Sequence, residues 1–111
     1  MKITHEVVSD CLVVAIDGRI DTSNMGVLGP QLNRLAERPE ATLVIDLCGV
    51  DSMDSSGLSL LLGVYRRRQD SHQEVCLCGL SSEVRRLIEL TRLHRLFRIY
   101  DSRSECVDRV A

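Results

Sequence analysis

Tryptophan is missing from this 111-residue chain, and two Tyr and one Phe are its only aromatic residues. Stacking platforms for bases and aromatic cages for cationic ligands therefore lack their building material. Lysine is almost missing too: Lys2 is the single one among 14 basic residues. Basic charge is not in excess, because 16 acidic residues leave a net charge of −2. Proteins that hold nucleic acid or anionic membranes through bulk charge are normally basic, so neither partner is expected. No apolar run approaches the ~20 residues of a membrane span. The opening Met1-Lys2-Ile3-Thr4-His5-Glu6 lacks the apolar stretch of a secretory signal. Five cysteines is an odd number, so at least one thiol cannot pair within the chain. A reducing, cytoplasmic setting with free thiols is expected.

What the chain does have is a globular balance, 44% hydrophobic and 27% charged. Its length suits one domain over residues 1–111. A chain of this size buries roughly two-thirds of its unfolded surface, enough for a core without disulfides or metal. Val7-Val8 and Cys11–Ile16 read as two strands of a hairpin turning at Ser9-Asp10. Thr22-Ser23-Asn24 supplies N-cap chemistry for a helix with Met25, Leu28, Leu32, Leu35 and Ala36 at helical spacing. Gly26, Gly29 and Pro30 predict that this helix is irregular until Pro30. Thr42–Leu47 is an almost wholly apolar run, as in buried parallel strands. A loop from Cys48 to Asp54 and a helix from Ser55 to about Gln69 follow, then a strand at Glu74–Cys78. Ser81-Ser82 opens a helix with Val84, Leu87, Ile88 and Thr91 on one face, and Phe97–Tyr100 is a last strand. Ser102-Arg103-Ser104-Glu105 matches a capping box opening a terminal helix with Cys106, Val107 and Val110. Alternation of strand and helix after the hairpin predicts an α/β fold: a mostly parallel sheet with about four helices.

The most informative stretch is Val50-Asp51-Ser52-Met53-Asp54-Ser55-Ser56-Gly57-Leu58. It joins a buried strand to a helix, where open α/β sheets place ligands. A plain cap accounts for part of it, with Asp54 or Ser55 satisfying free N–H groups. Gly57 is costly in a first turn, by roughly 1 kcal/mol relative to Ala, unless a backbone or a ligand must come close. With Leu58 at zero and ~100° per residue, Leu61, Leu62 and Tyr65 mark the core face. Ser56 falls opposite, with Leu60, Gly63, Val64 and Arg67, while Ser55 sits on the flank. An outward row of Leu60 and Val64 beside a hydroxyl reads as a partner surface, unless a second layer covers it. For Ser56 as a nucleophile an activating base is missing: the Gly-x-Ser-x-Gly elbow is absent, and His5, His72 and His94 are remote in sequence. As a phosphate loop the segment lacks the glycines and lysine. As a phosphoacceptor, Ser56 would place its phosphate at the positive end of a helix.

Met53-Asp54-Ser55-Ser56-Gly57-Leu58, preceded by Leu43-Val44-Ile45-Asp46-Leu47 and Gly49-Val50, closely resembles the phosphorylation-site region of bacterial anti-sigma factor antagonists, single-domain members of the STAS family. Gly18-Arg19-Ile20-Asp21 resembles that family's Gly-x-hydrophobic-Asp motif, and the likeness covers nearly the whole chain. The resemblance implies a βα sandwich and no enzymatic activity or cofactor. It implies a partner that is both anti-sigma factor and serine kinase, which phosphorylates Ser56. It also implies loss of binding on phosphorylation and resetting by a PP2C-type phosphatase. The protein itself would be a monomer or weak dimer. Asp21 and Thr22 match the loop beside the phosphoserine, with Asp21 equally readable as a helix cap. Partner contacts are expected from Asp21, Thr22, Asp54, Ser55, Ser56, Gly57, Leu60, Val64 and Arg67. The alternative is a STAS scaffold subunit of a stress-sensing or transporter-associated complex. Arg92 departs from the family by standing where a helix-ending Gly is common.

Elsewhere, Cys76 and Cys78 share one face of a strand, and core thiols are expected rather than a metal site with Cys48. Arg66-Arg67-Arg68 reads as a basic patch or a solvated helix end.

Overall fold

The computed structural model describes residues 1–110, with the side chain of Val110 outside the described part. Strands β1 (Lys2–Val8), β2 (Cys11–Asp17), β3 (Thr42–Gly49), β4 (Glu74–Cys78) and β5 (Arg98–Tyr100) form one sheet in sequence order. The β1–β2 hairpin is antiparallel and the remaining pairs are parallel. Helices α1 (Met25–Ala36), α2 (Ser55–Asp70), α3 (Ser82–Leu90) and α4 (Arg103–Val110) fill the connections and the end of the chain. Among the described residues, no helix is long and apolar enough to cross a membrane.

Alternation along each strand sorts side chains between two layers. Leu12, Val14, Ile16, Leu43, Ile45, Leu47 and Leu77 face α1, α2 and α3, meeting Leu28, Leu32, Leu61, Val64, Val84 and Ile88 in the main core. The opposite face carries Cys11, Val13, Val44, Cys76 and Cys78, which pack with Cys106 of α4. Cys76 and Cys78 are core thiols, as expected, whereas Cys48 is exposed. The hydrogen bonds that the Cys106 thiol donates to Cys76 and Cys78, and then burial, push Cys106 well above the ordinary thiol pKa. Arg103 anchors α4 by donating from Nε to Asp46 Oδ2 at 2.8 Å and from Nη1 to Glu6 Oε1 at 3.3 Å.

Two local expectations change. The first strand begins at Lys2 and not at Val7. Its polar half carries no apolar run because β1 is an edge strand exposed along most of its length. The first helix is regular from Met25 and runs through Pro30. The irregular part comes earlier, as a 3-10 turn at Thr22–Asn24 capped by Asp21. Gly26 and Gly29 border open space, so neither marks a close contact. After α3, Arg92 adopts φ +64°, the left-handed conformation in which glycine is usual. The helix-ending geometry is kept and a side chain bears its strain.

The arginine run is not a basic patch. Arg66 and Arg67 are exposed, and Arg67 is paired to Glu37 at 2.8 Å. Arg68 is fully buried. Its guanidinium donates to the carbonyls of Glu74 at 3.1 Å, Ala36 at 3.4 Å, Arg38 at 3.1 Å and Glu40 at 2.9 Å. One side chain thereby ties the end of α1, the following loop and the start of β4 to α2. Gln73 Nε2 donates to two of the same carbonyls, those of Arg38 at 3.0 Å and Glu40 at 3.1 Å.

Candidate functional site

Parallel strands β2 and β3 end side by side, so the segments that leave them are neighbours although over 30 residues separate them in sequence. The two segments pair by backbone. Ile20 N–H donates to Ser52 C=O at 3.1 Å, and Asp54 N–H donates to Ile20 C=O at 3.1 Å. The Gly18-Arg19-Ile20-Asp21 motif and the Asp54-Ser55-Ser56-Gly57 motif thus form one surface.

Asp54 is the N-cap of α2. Its Oδ1 accepts from the N–H of Ser56 at 2.9 Å, from the N–H of Gly57 at 3.3 Å, and from the Ser56 hydroxyl. Its Oδ2 accepts from Thr22 N–H at 3.2 Å and Thr22 Oγ1 at 3.3 Å. The Ser56 hydroxyl, and then the backbone N–H groups of Thr22, Gly57 and Ser56, hold this carboxyl below the ordinary aspartate range against the opposing effect of burial. Asp54 therefore stays ionised and orients Ser56. The cap and the functional readings of Asp54 are the same geometry.

Ser56 is half-buried and Ser55 exposed, so exposure alone does not single out Ser56. What distinguishes Ser56 is company: its Oγ donates to Asp54 and lies 3.5 Å from Thr22 Oγ1. Asp21 caps the 3-10 turn, accepting from Ser23 N–H at 3.0 Å, while Asn24 Oδ1 accepts from Asp21 N–H at 3.1 Å. The solvated and the capping readings of Asp21 resolve as a cap. His5, His72 and His94 are all exposed, and no hydrogen bond links one of them to Ser56 among the described residues.

Gly57 is close to side chains rather than to another backbone. A Cβ there would run into Met53 Cγ and lie 2.9 Å from Ile20 Cγ2. The glycine lets the two paired segments settle on the first turn of α2.

The outward apolar row is corrected. Val64 is fully buried in the main core, and Leu60 is half-buried against it. The cause is α1, which packs against α2 in addition to the sheet. Helical periodicity gives one core face, but this helix has two neighbours. Asp21, Thr22, Asp54, Ser55, Ser56 and Gly57 are brought together; Val64 is not among them, and Arg67 lies further along the helix in its pair with Glu37.

A family model for the STAS domain matches residues 2–106. The chain is 29% identical over 97 residues to an anti-sigma-B factor antagonist of Listeria monocytogenes, a match spanning 87% of this chain and 85% of that protein. Its fold is that of a crystal structure of an anti-sigma factor antagonist from Mycobacterium paratuberculosis, with TM-score 0.89, 25% identity and coverage of 98% and 92%. It also superposes on the Bacillus cell fate determinant SpoIIAA in its phosphorylated form, with TM-score 0.75, 20% identity and coverage of 99% and 100%.

Proposed function

The chain belongs to the STAS-domain family, and from that premise we propose that it is a single-domain, cytoplasmic anti-sigma factor antagonist with Ser56 as its phosphorylation switch. The observation that carries this reading is the Asp54 clamp: an ionised cap holds the Ser56 hydroxyl at the mouth of α2 beside Thr22.

In this reading the unphosphorylated protein binds an anti-sigma factor that is also a serine kinase, and the sigma factor is released. Contacts come from the paired segments around Asp21, Thr22, Asp54, Ser55 and Ser56, from the backbone at Gly57, and from the half-exposed Leu60. The partner supplies ATP and catalysis. Asp54, with its depressed pKa, is a poor proton acceptor and acts by orienting the hydroxyl. A phosphate on Ser56 adds about −1.5 to −2 charge. It lies at the positive end of its own helix, which favours it, and beside the Asp54 carboxylate, which does not. Set against a desolvated interface, that dianion costs binding. A PP2C-type phosphatase restores the binding form.

The test is incubation with a candidate anti-sigma kinase and ATP, followed by peptide mass mapping. Phosphate on Ser56 is expected. Phosphate found only outside Ser55-Ser56, or none, would favour a scaffold role within a larger STAS assembly.

A further inference from the structure

Strand β1 leaves a seven-residue edge open, and its pattern is self-complementary. Val8 and Cys11 close the hairpin as partners, so Lys2, Thr4, Glu6 and Val8 direct their backbone groups at β2. The bond from Thr42 N–H to Asp10 C=O confirms the phase, since it turns Asp10 and Leu12 toward β3 and Cys11 toward β1. Ile3, His5 and Val7 therefore present their N–H and C=O groups outward. Common protections of such an edge, a proline or a bulge, are absent from this strand. Val7 is 53% and Val8 37% exposed. On the helical side of the sheet, which Val7 shares and Val8 does not, a cavity of about 320 Å³ is lined by Ile3, His5, Gln31, Arg34 and Leu35. Val27, one turn before Gln31 on α1, is 58% exposed.

We propose that β1 is a docking edge for a second copy of this chain, paired antiparallel about a twofold axis at His5. That register faces Ile3 with the partner copy's Val7, and Val7 with its Ile3, on the helical side of the sheet. It sets Thr4 opposite Glu6 on the other side and brings Lys2 diagonal to Glu6 of the second copy, an attractive charge pair made twice. Val7 of the second copy, set against Ile3, covers the mouth of the cavity, and the two sheets become one. The Ser56 surface lies at the end of β2 and β3 and on α2, and stays outside this edge.

Amide hydrogen exchange and sedimentation across a concentration series test the proposal on the full chain. The mass is expected to rise from 12.4 kDa toward twice that value. Amides of Ile3, His5 and Val7 become protected only at high concentration, while those of Thr4, Glu6 and Val8 are protected throughout. His5→Pro removes only an outward donor, so it is expected to keep the folded circular-dichroism spectrum and lose the dimer. Val7→Lys, a change at an exposed side chain, serves as the second variant and is expected to weaken the dimer at least tenfold. A chain that stays monomeric with freely exchanging Ile3, His5 and Val7 amides overturns the proposal. So does a dimer that both variants retain, or protection of these amides only on addition of a different protein.

Discussion

Helix α2 is held at each end by one charged side chain, and the two ends behave in opposite ways. At the start, Asp54 accepts from N–H groups of its own helix and of the Thr22 segment, and it remains partly open to solvent. At the finish, fully buried Arg68 donates to carbonyls of three other stretches of chain. Both ends join segments about 30 residues apart. The difference lies in what can still be changed. Every donor of Arg68 that reaches a carbonyl is enclosed, so the only available change is damage. Asp54 shares its carboxylate with a hydroxyl that is only half-buried, so under the proposed function its arrangement can be rewritten by chemistry on Ser56.

The sharpest way to break the comparison is Arg68→Met. It leaves several carbonyls without a donor and should lower stability by about 4 kcal/mol. Thermal and denaturant unfolding read that loss, and a shift below about 1 kcal/mol would mean water satisfies those carbonyls. Next is Ser56→Asp at the other end. Affinity for the proposed anti-sigma partner should fall on the order of 100-fold by calorimetry, while Tm moves little because negative charge suits a helix start. Equal binding by variant and wild type would remove the switch from this end of the helix.

The smallest effect concerns pH. The folded-state pKa of Asp54 lies below its ordinary value of about 3.9. Its contribution to stability is therefore complete above that value and is lost as pH falls through the lowered folded pKa. Asp54→Asn never has this contribution. The Tm gap between wild type and variant should be widest near neutral pH and close below about pH 4. A gap independent of pH would show that the carboxylate charge does not hold the clamp.

The same contrast explains which parts were legible in the sequence. Capping is local chemistry, so Asp54, Ser56 and Gly57 announced themselves within four residues. The meeting of the Ile20 segment with Met53 was legible only as two motifs resembling a family, since backbone pairing between loops leaves no side-chain pattern. Arg68 left no signal: its acceptors are carbonyls, which every residue possesses, and its neighbours Arg66 and Arg67 are ordinary surface charges. Periodicity places Val64 outward, and the structure buries it, because a helix packed against both α1 and a sheet has a wider buried arc than one core face implies. The edge strand began at Lys2 unseen because an exposed edge needs no apolar alternation, whereas the buried runs of β3 and β4 were clear.

Gly57 has a consequence for how sequences of this kind can drift. Its missing Cβ is the space occupied by Met53 and Ile20. A larger residue at 57 is admissible only where both neighbours recede together, so the three positions form a single unit of variation spread across two motifs. A substitution at 20 or 53 that altered the fit would retune the surface around Ser56 without touching any residue that carries its chemistry.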